Sequence, residues 1–210
     1  MKKILFTLTI LCYTIFSLGQ DLEYDENNNL FGSNDASTDV AFYGSFDIGY
    51  QELNDYNFED NQSVTVGLSL AAVLNDNFFI GIYGFTNSEN KYNAYLDSYL
   101  RYGAGGFLLG VRLFPKIPIH ISIPLKVGFG TISYADDNWG YYNTSYEEDL
   151  TRDSYFVVEP GIELELSIVK YFKISGGISY KLTDSIVLIN TPNDILNGMT
   201  FNFSIRIIYP

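Results

Sequence analysis

The stretch Ile117-Pro118-Ile119-His120-Ile121-Ser122-Ile123-Pro124-Leu125-Lys126-Val127-Gly128-Phe129 decides the fold. Each odd position carries a large apolar side chain, and each even position carries a small, polar or charged residue or a proline. A period of two marks an extended strand, because successive side chains leave the backbone on opposite faces. One face of this strand is greasy and the other is not.

Seven further segments repeat the pattern, each long enough for the 9–11 residues that a tilted membrane strand requires. Their apolar faces are Val40, Phe42, Phe46, Ile48 and Tyr50 in a strand at 39–50, and Val64, Val66, Leu68 and Leu70 at 63–74. A strand at 77–86 contains Phe78-Phe79-Ile80, which leaves its facing open. Phe107, Leu109, Val111 and Leu113 mark 104–113, and Phe156, Val158, Ile162, Leu164, Leu166 and Ile168 mark 154–168. The last two are 172–182, with Phe172, Ile174, Ile178, Tyr180 and Leu182, and 199–209, with Phe201, Phe203, Ile205, Ile207 and Tyr209.

The links between these strands alternate in length. Short ones fall at Asn75-Asp76-Asn77, 114–116 and 169–171, and long polar ones at 51–62, 87–98, 134–153 and 183–198. Eight antiparallel strands with both termini on one side need three links there and four on the other. Transmembrane barrels place short turns in the periplasm and long loops outside. The expected fold is therefore an all-β, eight-stranded, antiparallel up-and-down transmembrane barrel.

Alternation alone does not say which face points outward, so a soluble lipocalin-like barrel is the structural rival. The small face carries Gly49, Gly67, Gly110, Gly128, Gly130, Gly161 and Gly177 together with charges. Glycine relieves crowding inside an eight-stranded barrel, whose interior is only wide enough for side chains to fill it. A water-facing exterior would instead be rich in long Lys and Glu side chains on every strand. That pattern is missing, so the greasy face is expected to meet lipid, with tyrosines near the strand ends at the interfaces.

Composition agrees with a strand-rich exported chain. The 210 residues include 18 Tyr, 16 Phe and 18 Gly, while a mean hydropathy of only +0.03 means that the apolar residues are dispersed rather than gathered into spanning helices. Residues 1–19 read as a cleaved signal peptide: Lys2 and Lys3, an apolar core from Ile4 to Phe16, then Ser17-Leu18-Gly19. Cys12 lies inside that core after Leu11, not behind a small residue as a lipid-modified cysteine would. It is the only cysteine, so disulfides, thiolate metal sites and cysteine nucleophiles are excluded from the mature chain. Residues 20–38 read as a flexible acidic leader and 39–210 as the barrel. Without Lys2 and Lys3 the chain has 10 basic against 25 acidic side chains, a formal charge of −15, which excludes nucleic acid as a partner.

The chain resembles the small outer-membrane barrel family of the OmpX and OmpA-transmembrane-domain type over 39–210. The resemblance rests on Leu74-Asn75-Asp76-Asn77-Phe78 at a short turn, on Val158-Glu159-Pro160-Gly161-Ile162-Glu163-Leu164-Glu165, and on Leu196-Asn197-Gly198 before the last strand. It implies an outer-membrane location, periplasmic termini, a lipid environment and recognition of the last strand by the barrel-assembly machinery. It implies no cofactor. Pro210 after Tyr209 departs from the family's aromatic C-terminus.

With the apolar face outward, the lumen is expected to hold Asp47, Arg112, His120, Lys126, Glu159, Glu163, Glu165, Lys181 and Arg206. Counted from the short turns, Lys126 and Glu159 lie at one height, and Arg112 and His120 fall near Glu163 and Glu165. They should pair into a structural plug, since buried charges persist only when partnered. A narrow conductance pathway is the alternative reading of the same residues. A His120–Ser122–Glu165 trio gives a lipid-modifying enzyme as another competing class. No catalytic or metal residue is assigned. The 134–153 link holds Asp136, Asp137, Glu147, Glu148 and Asp149 beside Trp139, a possible cation or surface-contact site, although Asp136 to Gly140 lacks EF-hand spacing. Pro124 and Pro160 each remove a ladder donor at comparable heights, so a shared bulge or local break between the fifth and sixth strands is expected.

The function these readings favour is a non-enzymatic surface barrel contributing to envelope integrity or to outside contacts through its loops, with no extracellular partner legible.

Overall fold

Strand pairing follows chain order. The computed structural model describes residues 40–54, 61–88, 91–93, 98–115, 117–135, 152–169 and 171–209. Its strands are β1 (Val40–Glu52), β2 (Gln62–Leu74), β3 (Phe78–Asn87), β4 (Lys91–Asn93), β5 (Ser98–Leu113), β6 (Ile119–Ala135), β7 (Arg152–Val169), β8 (Phe172–Thr183) and β9 (Gly198–Tyr209). Consecutive long strands pair antiparallel, and β9 returns to β1 with Phe42 opposite Tyr209 and Gln51 opposite Thr200. That last pairing closes an eight-stranded barrel. The short β4 stands outside the circuit as a hairpin extension on β5, since β3 pairs directly with β5.

Local chemistry sets the short turns. Between β2 and β3, Asn75 and Asp76 both have positive φ, 48° and 59°, and the amide of Asn77 donates to the carbonyl of Leu74 at 3.2 Å. Two left-handed residues match the twist of a two-stranded ribbon, and Asn and Asp tolerate that conformation best after glycine.

The apolar face points outward. Leu68, Phe107, Phe129 and Ile207 are 65%, 66%, 73% and 64% exposed, whereas His120, Glu165 and Lys181 inside are 1%, 0% and 2% exposed. This inverts a soluble barrel and removes the lipocalin-like rival. The open facing of the third strand is settled too: Phe79 is buried in the lumen while Ile80 and Ile82 are exposed.

Several expectations are corrected. β5 begins at Ser98 rather than near 104, and β6 runs on to Ala135. Ile117 lies in the bend before β6, which starts at Ile119. The prolines produce a break without a bulge. Bridges at Ser122–Glu163 and Leu125–Pro160 flank an unbridged pair of positions in constant register, and β7–β8 has a similar gap between Val158–Leu182 and Gly161–Ser179. The one register shift on β7–β8 is near the turn, between Ser167 and Val169. Of the tyrosines near strand ends, Tyr171, Tyr180 and Tyr209 are exposed, whereas Tyr102, Tyr134 and Tyr155, near the long-link ends, point inward and are buried.

Inward glycines make room for rings. A Cβ on Gly110 would strike the ring of Phe79, and one on Gly130 would strike the ring of Tyr155. At these two positions the relief of crowding expected from the sequence makes room for rings, and at Gly128 and Gly177 it lets the neighbouring backbone approach.

Candidate functional site in the barrel lumen

The lumen is filled in three tiers. At the short-turn end, β6 and β7 set His120 opposite Glu165 and Ser122 opposite Glu163, while β5 sets Arg112 opposite Ser122. Glu165 is the hub. His120 Nε2 lies 2.9 Å from its Oε1, Arg112 Nη2 3.4 Å and Lys173 Nζ 3.1 Å. Arg206, from β9, donates to both Glu165 and Glu163. Arg112 and His120 both reach Glu165, and Glu163 is held by Arg206. Lys173 is the member sequence reasoning missed, although its place between outward Phe172 and Ile174 gives it the same parity as Lys181.

The middle tier is looser. Lys126 Nζ and Glu159 Oε1 are 3.9 Å apart, the pair expected from their heights. Ser179 donates to Glu159 at 2.6 Å, and Asn202 donates to Ser179 at 2.8 Å. Two residues expected in ion pairs have neutral partners instead. Lys181 donates to Gln51 Oε1 at 2.5 Å and sits 4.5 Å from the ring centre of Phe85, a cation–π contact. Asp47 accepts from Ser45 at 3.0 Å and from Ser69 at 2.5 Å. Among the described residues neither Asp47 nor Lys181 has an opposite charge within 4.0 Å. Between them lies a cavity of about 20 Å³ lined by Asp47, Lys126, Glu159, Lys181 and Thr200, among others, room for a water molecule or two.

The outer tier is apolar. Leu53, Leu100, Tyr102, Ile132, Tyr134, Tyr155 and Val157 from the barrel wall enclose Ile186, Leu188, Ile195 and Leu196 from the β8–β9 connection. This connection, expected as a polar external link, folds down into the mouth as a strap. Backbone and side-chain hydrogen bonds hold it. The amide of Val187 donates to Asp153 Oδ2 at 2.7 Å, the amide of Asn54 to the carbonyl of Ile195 at 3.0 Å, and Asn54 Nδ2 to the carbonyl of Asn197 at 2.8 Å. Tyr134 and Thr191 share a hydroxyl bond of 2.9 Å. Ile186 and Leu188 do alternate with exposed Val187 and Ile189, but two inward positions are too few to read as a period.

The chemistry available here is limited. His120 presents Nε2 to Glu165 and Nδ1 to the carbonyl of Ile117 at 3.3 Å, so both ring nitrogens are engaged. Ser122 Oγ has no hydrogen-bond partner among the described residues and is not held by His120. The geometry needed to activate a serine is not assembled. The loop residues Asp136, Asp137, Trp139, Glu147, Glu148 and Asp149 lie outside the described residues, as do the signal and leader.

No family model matches the chain, and no curated protein matches it. Solved structures do. The crystal structure of Neisserial surface protein A aligns with a TM-score of 0.53 at 13% identity, covering 80% of this chain and 97% of that one. The crystal structure of Ail, the attachment invasion locus protein of Yersinia pestis, aligns with a TM-score of 0.51 at 12% identity, covering 82% and 100%. At such identities the likeness is one of fold. The architecture is the closed eight-stranded barrel of small outer-membrane proteins.

Proposed function

We propose that this chain is a non-enzymatic outer-membrane barrel whose lumen is plugged, and that it serves envelope integrity or surface contact through loops held at the long-link end. The supporting observation is the inversion of its faces: an exposed belt of Leu, Ile and Phe surrounds an interior of ion pairs. Such a belt is stable against hydrocarbon and costly against water. In this reading the short turns and both termini face the periplasm, residues 1–19 direct export, and β9 is the strand the assembly machinery engages.

The strap and the ionic hub together support a closed lumen. An eight-stranded barrel has no width to spare once its side chains are packed, and water-filled channels need about 16 strands. Single-channel recordings of the purified protein are expected to show no steady conductance. A persistent open level would refute the plug.

Two measurements test the membrane reading. The protein should fractionate with the outer membrane and migrate differently in detergent gels before and after boiling. Leu68→Arg, outward and midway along β2, should weaken folding into lipid vesicles by about 2–4 kcal/mol. In a barrel surrounded by water the same change would be close to neutral, so a null result would reverse the assignment.

A further inference from the structure

We propose that the ionic tier at the short-turn end is a binding site for a small inorganic anion of about chloride's size. The first ground is charge. Glu163 and Glu165 face Arg112, Lys173 and Arg206, and contacts within 4.0 Å link all five into one cluster. Leaving His120 aside, one positive charge is unmatched. The middle tier does not supply the missing negative charge, because Asp47 and Glu159 there already face Lys126 and Lys181 around the small cavity. An uncompensated charge in a dry interior is expensive, and a mobile counter-ion removes the cost.

The second ground is hydrogen bonding. Arg112 Nε, Arg206 Nε, Ser122 Oγ, Ser175 Oγ and the Tyr43 hydroxyl are buried without a hydrogen-bond partner among the described residues, and Arg112 Nη2 is ion-paired to Glu165 at 3.4 Å without an aligned hydrogen bond. Every one of these groups can donate, and no carboxylate oxygen of the tier is among them. Buried donors are almost always satisfied, so this set calls for an acceptor. The donors share one neighbourhood. The two guanidinium carbons lie 5.6 and 5.4 Å from the ring centre of Tyr43, and both arginines reach Glu165. Ser122 sits opposite Arg112, and Ser175 opposite Glu165.

The third ground is access. The Lys173 side chain is 14% exposed, against 4% for Arg112 and 5% for Arg206, and it is the second residue of β8, next to the short link that precedes Phe172. In the proposed site the anion enters past this ammonium, at the end of the lumen away from the strap. Close packing around Tyr43 and Phe79 favours a monatomic ion over an oxyanion.

The test uses the full-length mature protein folded in detergent micelles, at fixed ionic strength, with chloride, bromide, phosphate or gluconate as the anion. Chloride and bromide should each give a saturable rise of about 2–4 °C in the temperature at which the fast-migrating folded band is lost. Gluconate and phosphate should not. Lys173→Gln cancels the unmatched charge and should abolish the halide effect while keeping the folded band. Thr200→Val, a change in the middle tier that leaves its charge balance intact, should preserve it. Crystals grown in bromide should show an anomalous peak among Arg112, Arg206 and Tyr43. Equal melting in all four salts, a halide effect that survives Lys173→Gln, or bromide only on the protein surface would each overturn the site. A phosphate effect equal to that of chloride would overturn the assigned size. None of these outcomes bears on whether the barrel is plugged or lies in the outer membrane.

Discussion

The two ends of the lumen are enclosed by the same eight strands yet filled by opposite chemistry. At the short-turn end, Glu165 gathers Arg112, His120, Lys173 and Arg206, and no residue from a long link is needed. At the long-link end, the wall turns inward with Leu100, Ile132, Tyr155 and Val157, and the strap supplies Ile186, Ile195 and Leu196. The difference teaches that a barrel wall does not dictate its contents. Charges can fill the inner end because several partners meet from different strands. The outer end has few such partners, and a length of chain long enough to fold back completes it with apolar surface instead.

This contrast can be broken experimentally. The largest effect is expected from Glu165→Ala, which leaves Arg112 and Lys173 without a carboxylate in a buried site, while Arg206 keeps Glu163, and should cost about 3–5 kcal/mol in a urea titration of the folded protein in micelles. A loss below about 1 kcal/mol would mean that the inner tier is solvated rather than sealed. Ile195→Ala removes strap packing in the outer tier and should cost about 2–4 kcal/mol. The double variant should be additive to within about 0.5 kcal/mol if the tiers are independent. Larger coupling would show that the strap and the hub stabilise one another through the middle tier.

Smaller effects sharpen the comparison. Gly130→Ala pushes a methyl group into the ring of Tyr155 and should cost about 1–3 kcal/mol. Gly176→Ala points outward, where its Cβ would meet only the carbonyl of Asn202 at 3.9 Å, and should lie within about 0.5 kcal/mol of the parent protein. The same titration compares the two, and equal losses would contradict the assignment of inward and outward glycines.

Legibility followed the range of the interactions. The pairing of Lys126 with Glu159 and of His120 with Glu165 was readable because the 114–116 and 169–171 links set the height of each residue, and period two sets its face. Lys173 obeys the same parity and was within reach of the same reasoning. The neutral partners of Asp47 and Lys181 were not, since Gln51 and Ser69 carry no charge to announce a contact. The strap was hidden for a different reason: its inward residues are separated by turn residues such as Asn190, Pro192 and Asn193, so no periodic signal survives. The proline pair marked a real interruption of the ladder, but constant register around it shows that the wall absorbs two missing donors without inserting a residue.

What the sequence determined alone is the wall: eight strands, their order, the outward face of all but the third and the end at which the links are short. These follow from side-chain alternation, the glycines and charges of the small face, and link length, all of which are local features of the chain. Only the tertiary structure decided the filling. Which carboxylate gathers which cations, where tyrosines replace charges, and that Ile186, Ile195 and Leu196 seal the mouth depend on distances across a closed barrel, and closure brings together residues that no local pattern connects.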